Sequence, residues 1–578
     1  MQTSTLFIFS LFAFAYALPV PFLNHTSTHI STRASSTVSA TSLSTNNTTA
    51  SNKKYVVAHH MIGNTFPYTS QDWLNDIKLA HASGIDGFAL NMGSDIWQPA
   101  RVADAYAAAQ NSSLDFKMFF SLDMSILPCS TVNDATSLRA LVTTYLSHPN
   151  QLRYSRGSST QLPLVSTFAG ESCKFGQASV ADGWRTQFAQ HLDLQGKMTF
   201  VPSFFVAPNQ MSQFQGAVDG TFNWNGGWPI ELTTDSTGSS STSLSSTLKN
   251  LLGVNTTTNA IGKLSNLGLG ENSSSTNASS GLLNLEDALS NFIGSTDSDS
   301  QFLDASSENN VYIAAVSPWF FTHFGKNSFN KNFLYLADQH LYSKRWESLI
   351  PAQVHSGDNS DTNSSNASSQ PSISDQVDIV EIISWNDYGE SHYVGPIEGA
   401  LPTGSETWTN GMNHTAWLSL TSYYAAAFKN GSYPSISLNE ERIVMWSRTH
   451  PASADATSDN VGRVPGSELV LDAMWAVTLL SEPANVTLQI IPFSSNSSTG
   501  SPLAQQTFSI PAGLSKITIP ISVPDAMDSV SMRAVVERGD DDTVMDLDAS
   551  SQGFEFVKTP QQFNFNAWVG CAGGGCVA

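Results

Sequence analysis

Eight short apolar runs recur between Tyr55 and Ser384, and stretches of helical periodicity lie between them. The runs are Tyr55–His60, Gly87–Asn91, Phe116–Leu122, Leu162–Phe168, Thr199–Phe205, Ala217–Phe222, Val311–Val316 and Asp378–Ser384. Most are continuously apolar rather than alternating, as strands are when helices cover both faces of a parallel sheet. Gln71–Ser83 opens after Thr69-Ser70, has Pro67 upstream and stops at Gly84; Pro99–Asn111 and Val180–Leu194 have similar spacing. Strands alternating with helices in this number predict an α/β fold, a (β/α)8 barrel spanning residues 53–433. The alternative is a doubly wound sheet, but no glycine-rich dinucleotide fingerprint follows the first run.

Outside the barrel the character changes. Leu6–Ala15 is apolar and leads to Ala15-Tyr16-Ala17, so residues 1–17 are expected to be a signal peptide. Residues 18–52 are dominated by Ser and Thr and read as a linker. Residues 233–309, rich in Ser, Thr, Asn and Gly, read as a low-complexity insertion, and Ser356–Ser374 as a shorter one. From 434 to 565, short runs separated by turn residues predict an antiparallel β-sandwich, followed by a Cys/Gly-rich tail at 566–578.

A secreted protein, extracellular or held at a cell wall, is expected. Sequons at Asn24, Asn46, Asn47, Asn111, Asn255, Asn272, Asn277, Asn363, Asn366, Asn413, Asn430, Asn485 and Asn496 call for surface positions. No run reaches the ~18 apolar residues of a membrane span. The four cysteines, Cys129, Cys173, Cys571 and Cys576, suit disulfides; pairing within each half is compatible with their spacing, but three connectivities are open. A net charge of −22 excludes nucleic acid as a natural partner and is compatible with neutral polysaccharide. No spacing suggests a metal site or cofactor.

A barrel enzyme draws its site from the C-terminal ends of its strands. Those ends carry Asp95 with Trp97 nearby (second), Asp123 (third), Trp224 and Trp228 (sixth), and Trp319 (seventh). The eighth alone delivers two acids, Asp387 and Glu390, in the run Trp385-Asn386-Asp387-Tyr388-Gly389-Glu390-Ser391-His392. Paired carboxyl groups are what glycoside hydrolysis requires, and aromatic faces suit sugar rings. The placement differs from that of many retaining barrels, which use strands four and seven.

Several stretches together are specific: AHHMIGNTFPYTSQDWLNDIKLAHASGIDGFALNMGSDIWQ, FSLDM, STFAGES, DGTFNWNGGWP, SPWFFTHF and SWNDYGESHYVGP. Through them the chain resembles glycoside hydrolase family 71, the fungal endo-α-1,3-glucanases called mutanases. The resemblance implies inverting hydrolysis of α-1,3-glucan, with Asp387 and Glu390 as the acid–base pair. An aspartate near the second strand is also implicated, Asp86 or Asp95, with Asp95 preferred because it lies past the strand end. Glu390, the longer side chain, is assigned as acid and Asp387 as base, and inversion calls for carboxyl groups about 6.5–9.5 Å apart. His59, His60, Asp123, Trp97, Trp224, Trp228, Trp319, Trp385, Tyr388 and His392 are the candidate substrate contacts. Two other readings fit the residues: a non-catalytic wall-glucan-binding protein, or a glycosidase of another α-glucan. A monomer is expected.

Overall fold

The computed structural model describes residues 53–229, 292–351, 372–493, 501–539 and 542–577. The expected leader and linker, and most of both low-complexity segments, lie outside the described residues. Eight strands form one parallel sheet: β1 (Tyr55–Met61), β2 (Gly87–Met92), β3 (Lys117–Asp123), β4 (Leu164–Phe168), β5 (Thr199–Phe200), β6 (Gly220–Asn223), β7 (Val311–Val316) and, after the hairpin β8 (Phe321–His323) and β9 (Asn332–Leu334), β10 (Ile379–Ile382). The order is β5-β4-β3-β2-β1-β10-β7-β6. Backbone bonds from Asp219 to Phe200 (2.8 Å) and from Phe222 to Pro202 (3.0 Å) join the two ends, so the sheet is all but closed as a (β/α)8 barrel. A closed sheet has no free edge to satisfy.

Local chemistry explains the helices between strands. Helix α1 (Ser70–Ala82) starts at a reciprocal cap, Thr69 with Asp72, and ends before Gly84 at φ 81°. Helix α2 (Gln98–Ser112) carries Pro99 in its first turn, where the missing N–H costs nothing, and α3 (Val132–Tyr145) is capped by Thr131 with Asp134. Two elements differ from the sequence reading. The fifth strand, expected over Thr199–Phe205, stops at Phe200 because Pro202 has no N–H to donate. Val180–Leu194 becomes one short α-turn, Val180–Asp182, and a wider π-turn, Gly183–Ala189, that folds Trp184 under Phe188, Phe200 and Phe204.

The end of the segment expected to be an insertion is built into the barrel. Helix Asp297–Asp304 buries Asp299 completely. Its carboxylate takes two bonds from Arg345, at 2.6 and 2.9 Å, one from Tyr312 Oη at 2.8 Å and one from Asn223 Nδ2 at 3.2 Å. A polar excursion would leave no such buried charge, so the insertion ends before residue 297.

Beyond the barrel lie two antiparallel sheets. One has the order β15-β12-β11-β19, from β11 (Arg442–Arg448), β12 (Ala473–Leu480), β15 (Gly513–Pro520) and β19 (Ala567–Ala572). The other has the order β14-β13-β16-β17, from β13 (Ala484–Pro492), β14 (Ala504–Ile510), β16 (Ser529–Arg538) and β17 (Asp542–Asp548), with β18 (Phe556–Val557) on β16. Strand parity decides what each side meets. Met474, Ala476 and Leu480 of β12 join Val486, Leu488, Met532 and Val536 in one core. Ala473, Trp475, Val477 and Leu479 face the opposite way and join the barrel's core. Uniform burial of β12 follows from having a hydrophobic neighbour on both faces. Ala567–Ala572, expected in a tail, is instead a strand paired along the length of β11.

Disulfides join Cys129 to Cys173 and Cys571 to Cys576. The described sequon asparagines, Asn111, Asn413, Asn430 and Asn485, are all exposed, although Asn111 and Asn430 lie on helices and Asn485 on a strand rather than on loops. Among the described residues no helix is long and apolar enough to cross a membrane.

Candidate active site

Past β10 the chain turns back on itself. The amide of Ser384 bonds to the His392 carbonyl at 2.6 Å, that of Val394 to Ser384 at 2.9 Å, and that of Gly395 to Trp385 at 2.8 Å. Glycine is required at 395, where a Cβ would sit 2.7 Å from Trp385. Ser391 makes the reversal at φ 61°. Asn386 fastens the loop to the end of β1, accepting from the Met61 N–H at 2.7 Å and donating to the Met61 carbonyl at 3.1 Å. This return brings Asp387, Glu390 and His392 to one place at the C-terminal end of the barrel.

The imidazole of His392 is fully buried and its Nε2 faces both acids, 3.1 Å from Glu390 and 3.8 Å from Asp387. Its Nδ1 lies 3.1 Å from Ser384 Oγ, which also accepts the Asp387 N–H at 2.8 Å. The two carboxyl side chains keep 16% and 19% exposure, enough to meet a ligand. Lys331, arriving from the β8–β9 hairpin, places Nζ 2.7 Å from Glu390 Oε1. Burial pushes Asp387 up, and the neighbouring Glu390 charge adds to that. Burial acts on Glu390 in the same sense, but Lys331 and His392 outweigh it and hold this carboxyl well below its usual range. The surroundings thus push the two acids in opposite directions, Asp387 up and Glu390 down. These directions run against the roles assigned from side-chain length, because the nearest cation sits on Glu390 alone.

Ligand-type atoms of Asp387, Glu390 and His392 lie within 4.8 Å of one another. This is the approach of one oxygen from each acid; the carboxyl groups themselves lie about 6.5–9.5 Å apart in inverting pairs and about 5–5.5 Å apart in retaining ones. Both acids turn toward one imidazole, which draws them in. Three such donors could gather round a cation, but Lys331 already supplies the positive charge at Glu390, and we assign no metal here.

The other candidates divide. His59 is buried, bonded to Glu381 at 2.7 Å, and its ring meets Trp224 edge-on at 4.8 Å. Trp228 and Phe320 lie 5.8 and 5.5 Å from the His392 ring and wall the site. Asp123 closes β3, bonds Ser125, is pushed up by burial, and is within electrostatic reach of Lys331 and His59. His60 points the opposite way, as strand parity demands, into the helix layer beside Asp76 and stacked on Trp73. Trp385 and Tyr388 are fully buried loop supports, Trp385 against Phe88 and Tyr388 bonded to the Pro396 carbonyl. Trp319 is an anchor for the C-terminal sheets, donating to the Phe565 carbonyl beneath Arg448. These four, His60, Trp319, Trp385 and Tyr388, are not cleft residues. Asp95 is exposed and bonded to Gln98, with Trp97 on Phe66 beside it; neither makes a described contact with the pair. Asp86 sits at the other end of β2, held by Lys429. Lys331, Glu381 and Ser384 were not anticipated. Only register could have pointed to Glu381, which pairs with Val57, two positions before His59 on β1, and nothing in the local pattern marks Lys331.

The family model described as glycosyl hydrolase family 71 matches residues 52–577. The chain is 35% identical to glucan endo-1,3-alpha-glucosidase agn1 of Schizosaccharomyces pombe, over 89% of this chain and 94% of that protein. It is 26% identical to the mutanase Pc12g07500 of Penicillium rubens, over 91% and 90% of the two chains. It is 28% identical to the ascus wall endo-1,3-alpha-glucanase of Schizosaccharomyces pombe, over 72% and 76%.

Proposed function

Since the chain belongs to glycosyl hydrolase family 71, we propose that it hydrolyses α-1,3-glucosidic bonds within α-1,3-glucan through Asp387 and Glu390. The observation that carries this is the unequal pair at the end of β10: two partly exposed carboxyls sharing His392, with Lys331 on only one of them. Asp387 gives its proton to the departing glycosidic oxygen as the C1–O bond breaks. Glu390 accepts a proton from water as the water oxygen bonds to C1. The new hydroxyl at C1 and the new hydroxyl on the leaving sugar complete the hydrolysis. Trp224, Trp228 and Phe320 offer apolar faces for the sugar, and His59 lies at the floor of that cleft. Neither metal nor cofactor enters this scheme.

Direct attack by water inverts C1, and the family resemblance supports that outcome. The approach within 4.8 Å supports a second reading, in which Glu390 attacks C1 itself and water then releases the ester with retention. Incubation with α-1,3-, α-1,4- and β-1,3-glucans, with the first-formed anomer read by NMR, tests both levels. Cleavage confined to α-1,3-glucan with early β-anomer supports the first reading; early α-anomer selects the second. No cleavage of α-1,3-glucan would overturn the function. We further read the chain as a monomer that is secreted and wall-directed, the latter supported by the two disulfides, the exposed sequons and the name of the ascus wall relative, and the region from about 434 onward as a β-sandwich, supported by the core its two sheets share.

A further inference from the structure

We propose that Lys331 is the positioning residue that assigns the two roles, its ammonium keeping Glu390 charged so that the proton resides on Asp387. The inference rests on the reading of Asp387 and Glu390 as the hydrolytic pair. Two carboxyls this close cannot both ionise freely, and something must choose between them. Both oxygens of Glu390 are taken by donors, Lys331 at 2.7 Å and His392 at 3.1 Å. Among the described residues, the Asp387 carboxyl meets only the shared His392, at 3.8 Å. Among the described residues, the charged and titratable groups facing the pair are Lys331, His392, His59 and Asp123. Of these, Lys331 alone is a permanent cation at neutral pH and touches one acid only.

The ammonium is not placed by a free surface arm. The Phe324 N–H bonds to the Lys331 carbonyl at 2.6 Å and closes the hairpin. The next residue, Asn332, meets His323 at 2.8 Å, and the other nitrogen of that ring meets Asp459 at 2.8 Å. Asp459 in turn accepts the N–H groups of Val461, Gly462 and Phe563, at 2.8, 2.9 and 3.0 Å. The region beyond the barrel therefore braces the hairpin that carries Lys331. The lysine side chain is 51% exposed, so a sugar in the cleft would strip water from it and strengthen its hold on Glu390.

The test compares wild type, Lys331→Met and Lys331→Arg on soluble α-1,3-oligosaccharides, with kcat and KM followed from about pH 3 to about pH 8. The acidic limb of the profile reports ionisation of Glu390. In wild type this limb lies below the foot of the range, and Lys331→Met should raise it into the measured window, towards the ordinary glutamate value. Lys331→Arg should leave it below the window, as in wild type. The titration of Glu390 is read independently by carboxyl-13C NMR of labelled glutamate, assigned by the signal missing in Glu390→Gln. A uniform loss of kcat/KM in Lys331→Met, with neither the limb nor the Glu390 titration moved, would overturn the inference. Wild type that leaves the oligosaccharides intact would sink the functional reading instead, and the NMR shift would still decide the role of Lys331.

Discussion

Replacing Arg345 by Met should destabilise the protein by about 3 kcal/mol, near the lower end of the ~3–5 kcal/mol for a buried pair that loses one partner. Arg345 and Asp299 have side-chain exposures of 1% and 0% and meet through two bonds, at 2.6 and 2.9 Å. Without the guanidinium, Asp299 keeps the donors of Tyr312 and Asn223, which is why the lower figure applies. Asp299→Asn leaves the converse problem. Arg345 keeps the carbonyls of Ala315 at 3.0 Å and Ser295 at 3.1 Å, but its charge is buried without a counterion. The double variant removes both charges, so its cost should fall short of the sum of the singles by about 2 kcal/mol, a coupling typical of residues in one network. Urea unfolding measures all three, or unfolding rates where refolding fails. The pair also abuts Gly226, where a Cβ would lie 3.0 Å from Arg345 and 3.1 Å from Asp299, so the turn carrying Trp224 should loosen and KM should rise with it. Single variants within about 0.5 kcal/mol of wild type, or strict additivity, would refute the reasoning.

Stability should fall on acidification below about pH 6.5, the ordinary histidine value. Burial pushes His340 down to about 3, and His414 and His450 each down to about 4. Their folded pKa values lie below the unfolded one, so the unfolded chain binds protons first, and each group costs up to ~1.4 kcal/mol per pH unit until its folded pKa is reached. Asp472, pushed up to about 6 by burial, works in the opposite sense and offsets part of this. A melting temperature unchanged between about pH 7 and about pH 4.5 would contradict the account. His59→Gln should reduce kcat/KM, whereas His60→Gln should lower the melting temperature and leave kcat/KM near wild type, since only His59 shares the side of Trp224. Deleting residues 236–290 should leave the melting temperature within a few degrees of wild type, while extending the deletion through residue 306 should collapse it by removing Asp299.

The barrel was legible because eight runs buried on both faces have few other homes, and seven of the eight strands lie where the apolar pattern put them. The eighth case, β5, failed at Pro202, a local rule that the apolar count overrode. In the C-terminal sheets β19 was placed in a tail because Gly and Cys disguised a strand whose partner, β11, lies far away in sequence. Asp387 and Glu390 stood out by type and position. Their roles did not, since the deciding charge comes from Lys331, which only the hairpin brings near. His59 and His60 are adjacent and chemically equal; strand parity, not composition, sends one to the cleft and the other to the helices. The insertion was overextended because Asp299, one acid in a polar run, gives no local sign of burial.

The central claim is that Asp387 and Glu390 cleave α-1,3-glucan. Reducing-end release from linear α-1,3-glucan by wild type, Asp387→Asn and Glu390→Gln tests it most directly, with melting temperatures run alongside. The account predicts a loss of about 10²–10⁴-fold or more in each variant, the usual scale for a positioned acid or base, with melting temperatures near wild type. Near-wild-type turnover in either variant would contradict it.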